Sequence, residues 1–338
     1  MNGSTNAHLF APGKLIWMGE YAVLDGAPSI VQAVDRGLHL DYAPSDASLT
    51  VSSDLWAGNL LLSEATADRA ETALLAAVVA TLTEAGADLA PLTGTLKLAS
   101  PDLIDATTGL KFGFGSSAAA AAALTVALGR LAGLPDHRLA ALAHAAHRRF
   151  QKGAGSGVDV ETSLFGGLAA MRRGPAGLSV APLQLPPGLR IAVLLAGEAA
   201  NTRTMLATLA AARAAALPGV EAALASMAEA AEASVAAILA GDVSDFLTRV
   251  ARFADAERAL SAAASLPIMS ASVERCIEVA ARAGWVAKPS GAGGGDIVVA
   301  FAAGLEPTER LAASAERAHI PLLLPRLAAA GALGTRPV

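Results

Sequence analysis

The pattern of apolar and polar positions predicts a chain of mixed strands and helices. In the first 45 residues, short apolar stretches alternate with polar ones and are broken by Gly, Pro and Asp, which predicts short strands joined by turns. Further strands are predicted over 94–99, 168–171, 178–181, 189–195, 284–287, 297–301 and 320–324. Apolar positions at helical spacing predict helices over 66–84, 116–131, 136–150, from about 159, over most of 204–266 and over 307–318.

The order of these elements indicates an α+β fold with two lobes. Strands and helices follow each other without the regular alternation that a parallel α/β sheet requires. Turn residues at Gly174 and Pro175 mark a boundary, so we predict an N-terminal domain over 1–175 and a C-terminal domain over 176–338. Asp136 is predicted to be the N-cap of its helix.

Composition and charge exclude several classes of protein. Hydrophobic residues make up 54% of the 338 residues and charged residues 16%, which predicts a large core and excludes disorder. The run 118–129 is too short for a membrane span of about 20 residues, and 1–7 lacks the features of a signal peptide, so we expect a cytoplasmic protein without membrane contact. The net charge of −5 gives no reason to bind nucleic acid, and the single Cys276 excludes an internal disulfide.

The strongest local pattern is a glycine-rich segment that leads into a helix. Its residues are Lys111, Phe112, Gly113, Phe114, Gly115, Ser116, Ser117 and Ala118. Closely spaced glycines let backbone N–H groups approach an anion, and the helix start adds free donors and a positive dipole end. A Ser-capped helix after a surface loop explains the same pattern. The spacing also satisfies G-x-G-x-x-A, the dinucleotide fingerprint, but the preceding stretch 102–108 resembles a loop rather than the required strand.

Three further segments carry candidate chemistry. The segment 288–296 holds four glycines within five residues, which indicates backbone packed against a ligand or a long surface turn. Asp159 follows the glycine loop 153–157 at a helix start, where it suits an acid that orients a nucleophile or, alternatively, a helix cap. Lys14 lies between a turn and a strand, where its charge suits a phosphate.

His144 and His147 share a helical face but lack a third metal ligand, so we expect surface or interface histidines.

Together these segments resemble the three signature motifs of the GHMP kinases, which include galactokinase, homoserine kinase, mevalonate kinase and phosphomevalonate kinase. P-G-K-L-x-x-x-G-E-Y-A-V-L begins at Pro12, G-F-G-S-S-A-A begins at Gly113, and K-P-S-G-A-G-G-G-D begins at Lys288. The motifs occur in the family's order and cover essentially the whole chain. The resemblance therefore implies the two-lobed GHMP kinase fold, with the active site in the cleft between the domains.

Details within the motifs are similar to the phosphomevalonate kinase branch of the family. Tyr21 follows Glu20 where mevalonate kinases and galactokinases usually have His, and Lys111 precedes the glycines of the second motif. Mevalonate kinases carry a Glu shortly before the catalytic Asp, whereas no acid lies between Asp136 and Asp159 in this chain. This departure fits an acceptor that brings its own negative charge, and it leaves the metal ligands open.

The resemblance implies roles for individual residues. Asp159 would face the acceptor as a base or an orienting group, Lys14 would stabilise the transferred phosphoryl group, and Ser117 would contact Mg²⁺. The implied ATP-binding residues are Lys111, Gly113, Phe114, Gly115, Ser116, Ser117 and Ala118. The implied substrate-binding residues are Lys14, Glu20, Tyr21, Ser156, Gly157, Thr202, Arg203, Ser290, Gly291, Ala292 and Gly293.

The implied activity is ATP- and Mg²⁺-dependent phosphorylation of 5-phosphomevalonate to 5-diphosphomevalonate, in the mevalonate pathway of isoprenoid biosynthesis. The implied partner is a phosphorylated small molecule, and the enzyme is expected to be a monomer or a homodimer. Three alternatives stay open at this point: a mevalonate kinase or another GHMP small-molecule kinase, a non-catalytic member that binds a metabolite, and a dinucleotide-dependent oxidoreductase.

Overall fold

The computed structural model describes residues 5–54, 59–103, 112–153, 155–198 and 202–336. The strands are β1 (Ala7–Met18), β2 (Pro28–Ser48), β3 (Thr50–Ser53), β4 (Asn59–Leu61), β5 (Thr93–Ala99), β6 (Leu168–Gly174), β7 (Gly177–Leu183), β8 (Leu189–Leu195), β9 (Val286–Pro289), β10 (Ile297–Ala303) and β11 (Leu322–Leu323). The helices are α1 (Ala73–Glu84), α2 (Ser116–Leu131), α3 (Asp136–Phe150), α4 (Val158–Phe165), α5 (Thr202–Ala214), α6 (Val220–Ala240), α7 (Val243–Ala263), α8 (Ala271–Arg282) and α9 (Glu306–Ala318). Short 3₁₀ helices cover Ala22–Asp25, Leu62–Glu64 and Pro267–Met269.

The first sheet is built around the long strand β2. Its strands follow the order β4-β3-β5-β2-β6-β7, and β1 pairs with β2. β5 and β6 share one edge of β2 because β2 is 21 residues long, and β1 runs antiparallel along the other edge. Among the described strands of this sheet, β3 and β5 form the parallel pair and the other pairs are antiparallel. This pairing excludes the doubly wound parallel sheet of a dinucleotide-binding oxidoreductase.

Helix α2 packs against β1 and forms the centre of the core. All its residues from Ala118 to Gly129 are buried, and most of them are alanines, which favour the helix and allow neighbouring elements to approach closely. At Gly129, an added Cβ would lie 2.4 Å from Cδ2 of Leu139 on α3. α3 is therefore packed directly on α2 and has little freedom to shift along it.

A second sheet of four antiparallel strands follows the order β11-β8-β10-β9. The segment 290–296 forms the turn between β9 and β10, so its glycines lie at one end of this sheet. Helices α8 and α9 pack against each other, and buried residues from both join the apolar core of this sheet. Helices α6 and α7 form a hairpin; its turn is stabilised by the left-handed backbone of Gly241 and by Asp242, whose carboxylate accepts a hydrogen bond from the N–H of Asp245 at 2.9 Å.

The first sheet and its lobe include segments from both halves of the chain. Residues 174–177 form the turn of the β6–β7 hairpin, so the first sheet continues through Leu183, beyond the predicted boundary at residue 175. The last described residues return to the first sheet: Arg326 pairs with Asp35, and residues 328–333 make backbone hydrogen bonds with β2 and α4. The N-terminal lobe is therefore completed by the C-terminal segment.

The structure confirms the α+β fold and most of the predicted elements, with differences that have physical reasons. The predicted short strands at the start are two long strands, because β1 absorbs its Pro12–Gly13 step as a register shift instead of turning. Asp136 is not the N-cap; Pro135 occupies that position, and the carboxylate of Asp136 pairs with Arg130 at 2.7 Å. Helix α8 was absent from the prediction.

By length and composition, α6 alone among the helices of the described ranges would reach across a bilayer, which is weak grounds for a membrane span. In this fold α6 packs against α7 and β2. Its Glu232 pairs with Arg172 of the first sheet. These contacts are those of a helix that belongs to a folded core.

Candidate active site

A cavity of about 610 Å³ opens where the edge of β1 meets the glycine-rich turns and the starts of α2, α4 and α5. Its polar and glycine lining is Lys14, Glu20, Tyr21, Ser29, Gly113, Gly115, Ser116, Ser117, Gln151, Gly155, Ser156, Asp159, Thr202, Ser290, Gly291 and Asp296. Its apolar lining is Ile16, Val23, Leu24, Leu103, Phe114, Val158, Leu206 and Ala292. Segments far apart in sequence thus contribute to one wall.

The outer edge of β1 holds two of the glycine-rich segments in place. The backbone N–H of Lys14 donates to the carbonyl of Phe114 at 2.8 Å. Two residues further on, the N–H of Ile16 donates to Oγ of Ser290 at 3.1 Å, and that hydroxyl donates to the carbonyl of Ile16 at 2.8 Å. Because β2 occupies the other edge of β1, this free edge is available to position both segments around Lys14.

The side chain of Lys14 runs between glycines that leave it room. A Cβ added at Gly115 would lie 3.1 Å from Cγ of Lys14, and one added at Gly291 would lie 3.6 Å from its Nζ. Both glycines have positive φ, +78° and +92°, where other residues are strained. The ammonium donates to the carbonyl of Gly113 at 3.2 Å, so its position relative to the loop is fixed.

The electrostatic surroundings of Lys14 combine burial with nearby acids. Burial is the largest effect and lowers the pKa of the Lys14 ammonium below its usual range. Asp159, Asp296 and Glu20 raise that pKa and partly offset the burial. Lys14 is therefore a buried cation whose charge depends on the acids that share the cavity wall.

Asp159 is the second residue of α4. Gly157 precedes the helix with φ +85°, and this left-handed turn directs the helix start towards the cavity. Oδ1 of Asp159 accepts a hydrogen bond from the N–H of Val160 at 2.9 Å. The arrangement places a half-buried negative charge near the ammonium of Lys14.

Next to the glycine segment 288–296 lies a buried charge cluster of Glu20, Lys288 and Glu257. Nζ of Lys288 lies 2.6 Å from Oε1 of Glu20 and 3.5 Å from Oε1 of Glu257, and all three side chains are almost fully buried. Oε1 of Glu20 also accepts from the N–H of Gly291 at 3.2 Å. Burial raises the pKa of Glu257 well above its usual range; Lys288 lowers it and Glu20 raises it. Glu20 is thus the partner of a lysine and a support for the glycine segment.

Removing Lys288 is expected to destabilise the fold strongly. The Lys288→Met variant leaves Glu20 and Glu257 buried without their cation, so the free energy of unfolding should fall by about 3–5 kcal/mol at neutral pH. Since the folded chain binds a proton on Glu257 that the unfolded chain releases, stability falls as pH rises above the ordinary Glu value, and losing Lys288 strengthens this trend. In denaturant unfolding, the stability difference between wild type and Lys288→Met should be smaller at about pH 5 than at about pH 8.

The matched control for that variant is Arg172→Met. It breaks the ion pair between Arg172 and Glu232, whose side chains are 44% and 50% exposed. The expected loss is below about 1 kcal/mol, with little dependence on pH. Equal losses in the two variants would contradict the importance assigned to the buried cluster.

The structure gathers most of the residues singled out from the sequence, but not all of them line the cavity. Ala118 is buried within α2, and Gly157 lies against the ring of His144. Arg203 is exposed on the first turn of α5, beside Thr202, which does line the cavity. Gly293 packs on Ile268. Lys111 falls outside the described residues.

The two histidines of α3, predicted to be surface or interface residues, contact the helices α2 and α4 that border the cavity. His147 is 2% exposed, and its Nε2 lies 3.2 Å from Oγ of Ser117. His144 bonds through Nε2 to Oε2 of Glu161 at 2.6 Å, and Oε1 of Glu161 accepts from Arg336 at 2.5 Å. The prediction of a surface or interface position is wrong for His147, whereas the side chain of His144 is 20% exposed; the partners of both, on α2 and α4, are brought to α3 only by the fold. Their three-residue spacing on one face was the available signal.

The cavity wall fits a magnesium-bound nucleotide. Its charged side chains among the described residues are Lys14 and three carboxylates, Glu20, Asp159 and Asp296, so a polyphosphate needs an additional cation there. In the described ranges no group of three or more His, Cys, Asp or Glu residues could hold a metal ion by itself. Mg²⁺ commonly relies on phosphate oxygens with one or two protein oxygens, and the hydroxyl of Ser117 is such a group.

Comparisons with known proteins agree with this geometry. The family model described as the GHMP kinases N terminal domain matches residues 73–167, and the model described as GHMP kinases C terminal matches residues 234–320. A phosphomevalonate kinase from Streptomyces sp. (strain CL190) is 30% identical to this chain, and the match covers 86% of this chain and 88% of that protein.

Solved structures share the fold at lower identity. The Lin0012 protein of Listeria innocua has a TM-score of 0.84 and 22% identity, over 96% of this chain and 98% of that one. The phosphomevalonate kinase of Streptococcus pneumoniae, in complex with phosphomevalonate and AMPPNP, has a TM-score of 0.78 and 22% identity, over 96% of this chain and 100% of that one. The L. major mevalonate kinase in complex with R-mevalonate has a TM-score of 0.72 and 21% identity, over 97% of this chain and 99% of that one.

Proposed function

This chain belongs to the GHMP kinase family, and on that premise we propose that it transfers the γ-phosphoryl group of ATP to the phosphate of 5-phosphomevalonate, giving 5-diphosphomevalonate and ADP. The observation that carries the acceptor is the 30% identity to a phosphomevalonate kinase over 86% of the chain. Tyr21 in the first motif and the absence of an acid between Asp136 and Asp159 support the same choice. A site with fewer acids beside Asp159 suits an acceptor that is itself anionic.

The proposed donor side is the glycine loop and the start of α2. Backbone N–H groups of 113–117 and the positive end of α2 would hold the ATP phosphates. The hydroxyl of Ser117 would contact Mg²⁺, which supplies charge neutralisation on the phosphates. The carbonyl of Gly113 and the glycines around Lys14 keep the ammonium aimed into the same space. Lys14 would therefore offset the negative charge that develops on the transferred group.

The proposed acceptor side lies between α4, the first 3₁₀ helix and the turn from β9 to β10. Tyr21 donates to the carbonyl of Ala292, which ties the first motif to the third. Thr202 lines the cavity from α5, and Arg203 is the next residue on that helix, so both are proposed contacts of the acceptor phosphate. Ser156 and Ser290 supply further polar groups on the wall.

In the proposed reaction, an oxygen of the acceptor phosphate attacks the γ-phosphorus as the bond to the β,γ-bridging oxygen breaks and ADP leaves. A phosphate monoester has its second pKa near about 6, so the attacking oxygen is mostly ionised at neutral pH. Little proton remains for a base to remove. Asp159 would then act mainly by orienting the acceptor and Lys14, and catalysis would rest on positioning and charge.

A panel of acceptors tests this proposal. With ATP and Mg²⁺, we expect ADP formation at the highest kcat/KM with 5-phosphomevalonate, and at least about a hundredfold less with mevalonate, homoserine or galactose, because those lack the anionic phosphate that the site is proposed to bind. ADP release is measured in a coupled assay at equal acceptor concentrations. A preference for mevalonate would overturn the acceptor while leaving the kinase, and turnover with none of the compounds would favour a member that only binds a metabolite.

A further inference from the structure

Helix α3 carries two histidines that reach the starts of two different helices. His144 and His147 lie three residues apart, so their side chains project from one face. That face meets the first turn of α2 through His147 and the first turns of α4 through His144. α2 and α4 carry the proposed donor and acceptor groups, Ser117 and Asp159.

The contact of His147 fixes the hydroxyl of Ser117. Its Nε2 lies 3.2 Å from the serine oxygen, and His147 is 2% exposed. A serine in the first turn of a helix otherwise has several rotamers and a freely rotating O–H. The contact restricts the rotamer of Ser117, and a serine that donates to Nε2 keeps its oxygen lone pairs for a ligand in the cavity, which Ser117 lines.

The contacts of His144 fix the start of α4. A Cβ on Gly157, which precedes α4, would lie 3.1 Å from Nδ1 of this ring. On the other side of the ring, Nε2 holds Glu161 at 2.6 Å, two residues after Asp159. Arg336 holds the second oxygen of Glu161 at 2.5 Å, and its guanidinium lies 4.7 Å from the ring of Phe165. The backbone before Asp159 and the side chain after it are therefore both held.

Among the described residues, neither helix start is capped by a side chain of the residue that precedes it. Gly115 precedes α2 and Gly157 precedes α4, both with left-handed backbone and no side chain, and neither helix has a side-chain N-cap hydrogen bond. α3 is packed on α2 through Leu139 and Gly129, and Arg149 near its end pairs with Glu84 of α1 at 2.7 Å. α3 therefore contacts both helix starts, and the residue before each start is a glycine without a side chain.

We infer that His144 and His147 are positioning residues, which set the orientation of Ser117 and the placement of Asp159 relative to each other. The inference rests on the proposed function, since it takes Ser117 as a nucleotide–metal contact and Asp159 as the acceptor-side acid. In-line phosphoryl transfer needs both groups placed within a fraction of an ångström, and a misplacement of about 1 Å can cost about a hundredfold in rate. Loss of His147 should therefore affect nucleotide binding, and loss of His144 should affect kcat.

The test uses His147→Leu and His147→Gln in the full chain. Leu fills the space without a hydrogen bond, whereas Gln restores a polar nitrogen at a similar reach. We expect His147→Leu to raise the Kd of Mg²⁺–AMPPNP and the KM of ATP by about tenfold, with the KM of the acceptor little changed, and His147→Gln to stay within about threefold of wild type. Titration calorimetry gives the Kd without any turnover.

The second pair is His144→Leu and His144→Gln. Leu should lower kcat by about tenfold while the Kd of Mg²⁺–AMPPNP stays unchanged, and Gln should recover most of kcat. His137 lies on the same helix and is exposed, so His137→Leu is the matched control and should leave kcat, KM and Kd at wild-type values. Thermal unfolding of each variant separates a loss of fold from a loss of position.

Two results would overturn the inference. The first is that His147→Leu and His144→Leu both behave like His137→Leu. The second is that both Leu variants lose nucleotide affinity, acceptor affinity and melting temperature to the same extent, and that neither Gln variant recovers them. That second result would describe a purely structural role. Failure of the proposed function is a separate outcome: wild-type protein would turn over none of the acceptors, while the calorimetric effect of His147 on Mg²⁺–AMPPNP would still be measurable.

Discussion

Asp159→Asn should lower kcat by about a hundredfold or more, with the KM of ATP changed by less than about threefold. Asn keeps the size of the side chain and its hydrogen bond with the N–H of Val160, so the start of α4 should be preserved. The negative charge is lost, and with it the group proposed to orient the acceptor and the ammonium of Lys14. Steady-state kinetics with ATP and 5-phosphomevalonate measures the effect.

The pH profile of the same variant tests whether Asp159 acts through the pKa of Lys14. Burial lowers the pKa of Lys14, and Asp159 is the largest effect that raises it. Lys14 must be protonated to offset phosphate charge, so the rate falls as pH rises through that pKa. Asp159→Asn removes the raising effect, so the alkaline limb of kcat should move to lower pH. Asp136→Asn, at an exposed acid on α3, is the control and should leave both kcat and the profile unchanged.

Lys14→Met is expected to reduce kcat/KM by about a hundred- to a thousandfold, with losses in both kcat and acceptor affinity. Met keeps the unbranched stem that lies between Gly115 and Gly291, and removes the charge and the hydrogen bond to the carbonyl of Gly113. Since Lys14 is the cation among the described residues that line the cavity, no neighbouring side chain in those ranges replaces it. Initial rates over a range of acceptor concentrations separate the two losses.

The matched control is Lys97→Met, at an exposed lysine on β5. It removes the same charge from the same sheet and should leave kcat/KM within about twofold of wild type, as is usual for surface substitutions. A Lys14→Met variant as active as this control would remove Lys14 from the proposed mechanism. Circular dichroism and thermal unfolding of both variants show whether the sheet is intact.

The sequence predicted the parts of the fold whose signals are local. Helices α2 and α3 were predicted with the bounds that the structure has, because glycines and turn residues precede them and apolar spacing continues to their ends. The β9–β10 turn was predicted from its glycines and from the apolar strand that follows it. Lys14, Ser117 and Asp159 were singled out because each lies beside a glycine segment, and the structure brings all three to one cavity.

Other features depend on contacts between distant segments and have no local signal. The partner of Glu20 is Lys288, 268 residues away, so the sequence around Glu20 does not reveal this ion pair. The same holds for His147 and Ser117. The return of 326–336 to the first lobe could not be predicted from composition, because its short apolar stretch and scattered arginines are compatible with several placements.

The most direct test of the proposed function is the identity of the bond that forms. ³¹P NMR of the protein with ATP, Mg²⁺ and 5-phosphomevalonate should show the acceptor's single monoester signal replaced by two coupled signals of a diphosphate ester, as ATP is converted to ADP. The Asp159→Asn variant under the same conditions should leave the monoester signal nearly unchanged over the same time. A wild-type reaction in which ADP forms with a hydroxyl acceptor, while the phosphate of 5-phosphomevalonate stays a monoester, would contradict the proposal.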